Sequence, residues 1–117
     1  MSAIVFAYIT AKNKSEAKKI GRELLEFRLA ACVNIFDNMQ SMYWWKGELQ
    51  NEKEVVLIAK TTKKLFSKLS AKVRSLHSYS VTCILQLEVT DGNKEYVKWL
   101  IKNLAPTLKG AIQSNKP

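Results

Sequence analysis

The sequence predicts an α+β domain of the ferredoxin-like class, with the element order βαββαβ followed by a C-terminal helix. Four segments rich in β-branched and aromatic residues are typical of strands, and apolar residues recur at helical spacing in the segments between them. The sequence WKGE at residues 45–48 indicates a tight turn that joins two strands into a long hairpin. We therefore expect an antiparallel sheet in a single domain, residues 1–117, with a frayed tail from about residue 110.

The first half of the chain supplies two strands and a helix. Residues 3–10 (AIVFAYIT) form the first strand. Asn13 can cap a helix over residues 14–29, with Glu16 at the position of a capping box. The second strand covers residues 30–36 and resumes at 39–45, because the pair Asp37 and Asn38 between the two parts indicates a bulge or bend.

The second half repeats the pattern. The third strand ends in EVVLIAK (residues 54–60), and Thr61 or Thr62 caps a second helix with Leu65, Leu69, Val73 and Leu76 on its core face. Residues 80–90 form the fourth strand, and DG at 91–92 is a turn signal. The third helix covers residues 93–104, with Tyr96, Leu100 and Leu104 on one face.

Composition narrows the class of protein. Apolar residues make up 47% and charged residues 25%, an ordinary balance for a globular chain. The net charge of +9 raises nucleic acid, membranes and anionic metabolites as partners, but the lysines are spread over all three predicted helices and fit solvated faces. Two cysteines are too few for a disulfide framework, and no apolar run reaches 18 residues. We expect a soluble cytoplasmic protein without a membrane partner.

Both faces of the predicted sheet are apolar. The first strand places Val5, Ala7 and Ile9 on one side and Ile4, Phe6 and Tyr8 on the other. Two helices cover one face of such a sheet, and the third helix can shield only part of the second face. The remaining apolar face predicts burial against other copies of the chain, in a homo-oligomer.

Several strings resemble the CutA divalent-cation tolerance family: RLAACVNI (28–35), the tyrosine, tryptophans and glycine of 43–47, LIAKT (57–61), LHSY (76–79) and DGNKEYVKW (91–99). The resemblance covers residues 4–101 and implies a ferredoxin-like fold in a tight trimer, similar to the PII signalling proteins. It also implies a link to tolerance of divalent cations, copper above all, with candidate binding groups in clefts between subunits. No cofactor is expected to be required for folding.

The chain departs from this family after the second helix. Relatives usually carry His-Pro-Tyr-Glu-Val-Pro-Glu, whereas residues 77–83 read HSYSVTC. The histidine and tyrosine match, while both prolines and both carboxylates are absent. Roles that depend on those glutamates are therefore not transferred to this chain.

His77 and Cys32 are the candidate metal ligands. Copper favours imidazole and thiolate, His77 is the only histidine, and both residues lie in strings that match the family. A structural role at the helix end remains the alternative for His77, and burial in the sheet is the alternative for Cys32. By alternation we expect Cys83 to share a face with Leu85 and Leu87 and to pack in the core between helices and sheet.

The candidate residues of the intersubunit cleft are Tyr43, Glu54, Lys60 and Tyr79. They are polar groups on or near the predicted hairpin and in the matching strings, where they either bind a ligand or form interface hydrogen bonds. The three tryptophans, Trp44, Trp45 and Trp99, are interpreted as core or interface anchors.

Three other functions are alternatives. A PII-like signalling or protein-interaction module is the main alternative. An RNA-binding domain with the same element order needs aromatic residues on the first and third strands, and EVVLIAK supplies none. An acylphosphatase-type enzyme needs an anion-binding arginine after the first strand, where TAKNKSE offers only lysines. We therefore expect neither nucleic-acid binding nor catalysis.

Overall fold

The computed structural model describes residues 3–106. Their secondary structure comprises β1 (Ile4–Ala11), α1 (Lys14–Glu26), β2 (Cys32–Trp45), β3 (Glu48–Thr62), α2 (Lys63–Leu76), β4 (Ile84–Glu88) and α3 (Lys94–Lys102). This order confirms the predicted βαββαβ plan with an added helix. The tail that was predicted to fray lies outside the described residues.

The strands form one sheet in the order β2-β3-β1-β4, and every neighbouring pair is antiparallel. Helices α1 and α2 pack against one side of it. Their buried side chains, Ile20, Leu24, Leu69 and Val73 among them, form a core with Ala7, Ile9, Leu57 and Ala59 of the central strands. The apolar faces of the two helices thus pack on the apolar side chains that alternate along the central strands.

Helix α1 begins as the sequence predicts but ends earlier. Asn13 Oδ1 accepts a hydrogen bond from the Glu16 amide at 2.8 Å, which satisfies one free donor of the first turn. The helix ends at Glu26 because Arg28 adopts a left-handed conformation with φ of 55°, which reverses the chain.

Strands β2 and β3 form a hairpin arm, defined here as residues 39–54. A register shift between Phe36 and Met39, with Asn38 at φ 62°, confirms the predicted bulge. Lys46 and Gly47 close the hairpin with φ of 50° and 81°, a pair of positive values that matches the twist of the two strands. The described molecule is accordingly elongated, with principal extents of 49 × 28 × 21 Å.

The opposite side of the sheet, called here the open sheet face, carries Phe6, Tyr8, Phe36, Leu85 and Leu87. Phe36, Leu85 and Leu87 are 55%, 58% and 48% exposed, although all three are apolar. Helix α3 shields part of this side; its Leu100, and Leu104 just after its end, are buried in the core. Tyr96, predicted on the same helix face, is 42% exposed, and its ring lies under Lys60.

The fourth strand is shorter than predicted, and the predicted place of Cys83 is wrong. Strand β4 begins at Ile84, so residues 77–83 form a loop, called here the 77–83 loop, and Cys83 is half-buried in it. Leu85 pairs with Tyr8 and Leu87 with Phe6, which places this set on the open sheet face and not between helices and sheet. The alternation was correct, but the more apolar side of β4 points away from the helices.

Candidate functional site

A cleft of about 770 Å³ lies where the base of the hairpin arm, the end of β1 and the 77–83 loop meet. We call it the sheet cleft. Its walls include four aromatic side chains, two carboxylates and three sulfur-bearing side chains: Tyr8, Tyr43, Trp45, Tyr79; Glu52, Glu54; Met39, Met42, Cys83. Because the arm and the loop approach from different parts of the chain, the cleft exists only in the folded domain.

Two tyrosine–carboxylate pairs dominate the polar part of the cleft. The Tyr79 hydroxyl donates to Glu54 Oε2 at 2.9 Å, and the Tyr43 hydroxyl donates to Glu52 Oε1 at 2.5 Å. Burial, followed by the hydrogen bond to Glu54, raises the pKa of Tyr79 well above its usual range. The pKa of Tyr43 is raised to about 12, mainly by its hydrogen bond to Glu52. Both hydroxyls therefore act as donors at neutral pH.

His77 ends α2 and orients the 77–83 loop. Its Nδ1 accepts a hydrogen bond from the Tyr79 amide at 3.0 Å, and its Nε2 lies 2.7 Å from the Thr10 carbonyl oxygen. With Nδ1 as acceptor, Nε2 carries the proton and donates to Thr10, the pattern of a neutral imidazole. The side chain is 0% exposed. A metal ion at His77 would have to replace one of these two hydrogen bonds.

Glu16 holds the same loop from the other side. Its Oε2 accepts from the Ser78 amide at 2.9 Å, and its Oε1 accepts from the Lys12 amide at 3.0 Å. Burial alone raises the pKa of Glu16, but the hydrogen bonds from Ser78 and Lys12 outweigh it, so the net pKa is lowered. One carboxylate thus ties the start of α1 to the start of the loop.

Cys32 and Lys60 lie away from the sheet cleft. They pair with each other across β2 and β3, and Lys60 also pairs with Phe6. Lys60 Nζ donates to the Tyr96 hydroxyl at 3.1 Å and lies 5.6 Å from the centroid of the Phe6 ring. Thr10, the partner of His77, pairs with Val56, four residues from Lys60 along β3, or about 13 Å at the rise of a strand. His77 and Cys32 are therefore separated by about four residues along the strand direction and do not adjoin one another.

The structure brings together three of the predicted cleft residues, Tyr43, Glu54 and Tyr79, and leaves Lys60 at a separate site. Within residues 3–106, histidine, cysteine, aspartate and glutamate side chains form no group of three that could hold a metal ion. The roles of His77 and Cys32 as metal ligands remain predictions, and in one chain they do not share a site.

Sequence reasoning did not identify Glu52, Met39 or Glu16 as part of this region. Glu52 is two residues before Glu54 on the same strand and so faces the same side, a signal that alternation carries. Met39 lies where the bulge ends, and its sulfur is 3.6 Å from the Tyr8 hydroxyl. Glu16 was identified as a helix cap, but its contact with Ser78 joins residues 62 positions apart and no local pattern indicates it.

The chain is thus a ferredoxin-like α+β domain with a projecting hairpin arm, an exposed apolar sheet face and an aromatic cleft where the two meet. Residues 5–103 match the family model described as CutA1 divalent ion tolerance protein, and the chain belongs to this family.

Curated relatives agree with this assignment. The Thermus thermophilus divalent-cation tolerance protein CutA is 43% identical over 95 residues, which cover 81% of this chain and 92% of that protein. The Xenopus laevis protein CutA homolog is 44% identical over 94 residues, which cover 80% of this chain but only 62% of the longer homolog.

Solved structures agree as well. The crystal structure of CutA1 from Oryza sativa matches with a TM-score of 0.86 at 34% identity, over 88% of this chain and 94% of that one. The Cut A1 structure from Thermus thermophilus matches with a TM-score of 0.82 at 41% identity, over 89% and 99% of the two chains. In the described part of this chain, no helix has the length and apolar character to span a membrane.

Proposed function

We propose that this chain is a divalent-cation tolerance protein that works as a non-enzymatic homotrimer and binds a metal ion or a small ligand at clefts between subunits. The observation that carries the proposal is the open sheet face of a chain in the CutA1 family. Its exposed apolar side chains adjoin the sheet cleft, so a neighbouring subunit that buried them would also supply a wall of the cleft.

The hairpin arm supports assembly with other copies. Trp44 and Leu49 pair across the arm and are 72% and 59% exposed, and Met42 is 66% exposed. Large apolar side chains at the end of a projecting hairpin are costly in water and are typical of interface anchors. Because the open sheet face of the same chain also lacks cover, an arm that packs on a neighbour's sheet satisfies both surfaces.

The chemistry of the cleft favours binding over catalysis. The hydroxyls of Tyr43 and Tyr79 donate to carboxylates, and their raised pKa values disfavour the phenolate form that a nucleophile or base would need. Carboxylates that accept from tyrosine are oriented as ligands for a cation. This arrangement suits a site that holds a ligand and does not transform it.

Cu(II) is the first candidate metal, as the family resemblance implies, with His77 and Cys32 as its proposed ligands. Since these two residues do not adjoin one another in one chain, a shared site would need ligands from different subunits. The two cysteines are free, which suits the reducing cytoplasm that we propose as the compartment. Cell fractionation of the tagged full chain tests that location.

Calorimetric titration of CuSO4, ZnSO4 and CoCl2 into the full chain tests metal binding. We expect Cu(II) to bind most tightly, with a weaker isotherm for His77→Ala or Cys32→Ser. Cys83→Ser is the matched control, because this second free cysteine is not a proposed ligand. Unchanged binding in both ligand variants would remove these residues from the site, and no heat with any of the three metals would refute metal binding.

A further inference from the structure

The sheet cleft is negatively charged, although the chain as a whole is positively charged. The chain has a net charge of +9, yet the described residues that line the cleft include two carboxylates, Glu52 and Glu54, and no lysine or arginine. In a basic molecule this leaves a local negative potential inside a concave wall, where low-dielectric surroundings strengthen it. The charge of the lining therefore favours a cation over an anion.

Glu54 is the more buried of the two carboxylates. Its residue is only 8% exposed, and Tyr79 donates to its Oε2, whereas no donor from residues 3–106 is hydrogen-bonded to Oε1. The ion pairs found in the described part of the chain do not include Glu54. Glu54 Oε1 accepts no hydrogen bond from the described residues and retains accessible surface, so a cation that enters the cleft can reach it.

The walls of the cleft indicate which kind of cation fits. Tyr8, Tyr43, Trp45 and Tyr79 all line it, and the faces of aromatic rings attract organic ammonium groups. A divalent metal ion gains little from such walls and needs more oxygen, nitrogen or sulfur ligands than two carboxylates that each already accept from a tyrosine. The cleft volume of about 770 Å³ lies within the range of small-molecule sites.

The two carboxylates act on a common space. Both Glu52 and Glu54 contribute to the raised pKa of Tyr43 and of Tyr79, so each carboxylate is felt at both hydroxyls. A single positive group placed between the tyrosines would meet the field of both.

We propose that the sheet cleft binds a small organic ammonium ion, with its charged group beside Glu54 and Glu52 and its carbon atoms against the aromatic walls. The proposal rests on the proposed function, because it names the ligand class of the same cleft.

Proton NMR of the full chain with choline tests it against 3,3-dimethylbutan-1-ol, the neutral molecule of the same shape. Bound choline is expected to show an upfield shift of its methyl signal, because the methyl groups lie over aromatic rings. The neutral alcohol is expected to bind at least about tenfold more weakly, as the loss of charge removes both the ring and the carboxylate attraction. Glu54→Gln and Glu52→Gln are expected to weaken choline binding.

Glu48→Gln is the matched control, since Glu48 lies on the same arm but does not line the cleft. Absence of choline binding at millimolar concentration, equal binding of the alcohol, or an equal loss in Glu48→Gln would overturn the proposal. A titration of CuSO4 into the same samples distinguishes failure of the ammonium proposal from failure of the proposed function. Metal binding without choline binding leaves the proposed function standing and removes the ammonium ligand, whereas the absence of both removes both.

Discussion

Replacement of Tyr79 by phenylalanine removes the only described hydrogen bond to the Glu54 side chain and leaves the aromatic wall in place. The bond is 2.9 Å long, and its acceptor is a carboxylate on a residue that is 8% exposed. A hydrogen bond to a charged group contributes about 1.5–3 kcal/mol. Because Tyr79 is only half-buried, we expect the lower end, about 1.5 kcal/mol, or about a tenfold change in the unfolding equilibrium.

The assay is urea unfolding of wild type and Tyr79→Phe at the same chain concentration, followed by circular dichroism. Tyr43→Phe is the matched control, because its hydroxyl makes the same kind of bond to Glu52 on the exposed arm. We expect a smaller loss there. Equal destabilisation by the two variants would refute the argument that the burial of Glu54 gives the Tyr79 bond its strength.

The pH dependence of the same variant gives a second check. Folding raises the pKa of Tyr79 from its ordinary value of 10.0, because the protonated hydroxyl is the donor to Glu54. The contribution to stability is therefore complete below pH 10 and is lost as the pH rises through the higher folded pKa. The stability gap between wild type and Tyr79→Phe should be constant from pH 7 to 9 and should narrow above 10.

Other variants test further parts of the structure. Thr61→Val should raise the free energy of unfolding by about 1 kcal/mol in urea melts, because the Thr61 hydroxyl is buried without a hydrogen-bond partner among the described residues; a loss of stability would contradict this. Glu16→Gln should destabilise the chain at pH 7, and the gap from wild type should close as the pH falls through the lowered pKa of Glu16, whereas a gap that persists at pH 2 would argue against the charge. Leu69→Ala should cost about 2–5 kcal/mol, since Leu69 is fully buried between helices and sheet, and thermal melts would show an effect below 1 kcal/mol if that packing were absent.

The fold could be predicted because local pattern and global plan agree. Asn13 and Glu16 form the expected cap, Asp37 and Asn38 coincide with the bulge, and WKGE closes the hairpin. Each of these signals acts over a few residues, so it can be read without knowledge of the tertiary structure.

The predicted orientation of Cys83 toward the helices was wrong for a physical reason. The more apolar side of a strand is normally the side that faces the helices, but in this sheet both sides are apolar, so the rule does not decide. Leu85 and Leu87 therefore suggested the wrong orientation although their alternation was read correctly.

The candidate site could be predicted only in part. Tyr43, Glu54 and Tyr79 were selected as polar residues in matching strings, and the fold brings them to one cleft. The contact of Glu16 with Ser78 depends on how α1 packs beside the end of α2, which no short sequence window contains.

The mass of the full chain in solution, measured by light scattering during size-exclusion chromatography, tests directly whether the chain assembles as a trimer. The 13.3 kDa chain should elute with three times its own mass, and Leu85→Asp, which places a charge on the open sheet face, should shift it toward one chain mass. Lys64→Asp on the exposed surface of α2 is the control that should leave the trimer intact. A wild-type chain that elutes at 13.3 kDa at micromolar concentration would contradict the proposed trimer.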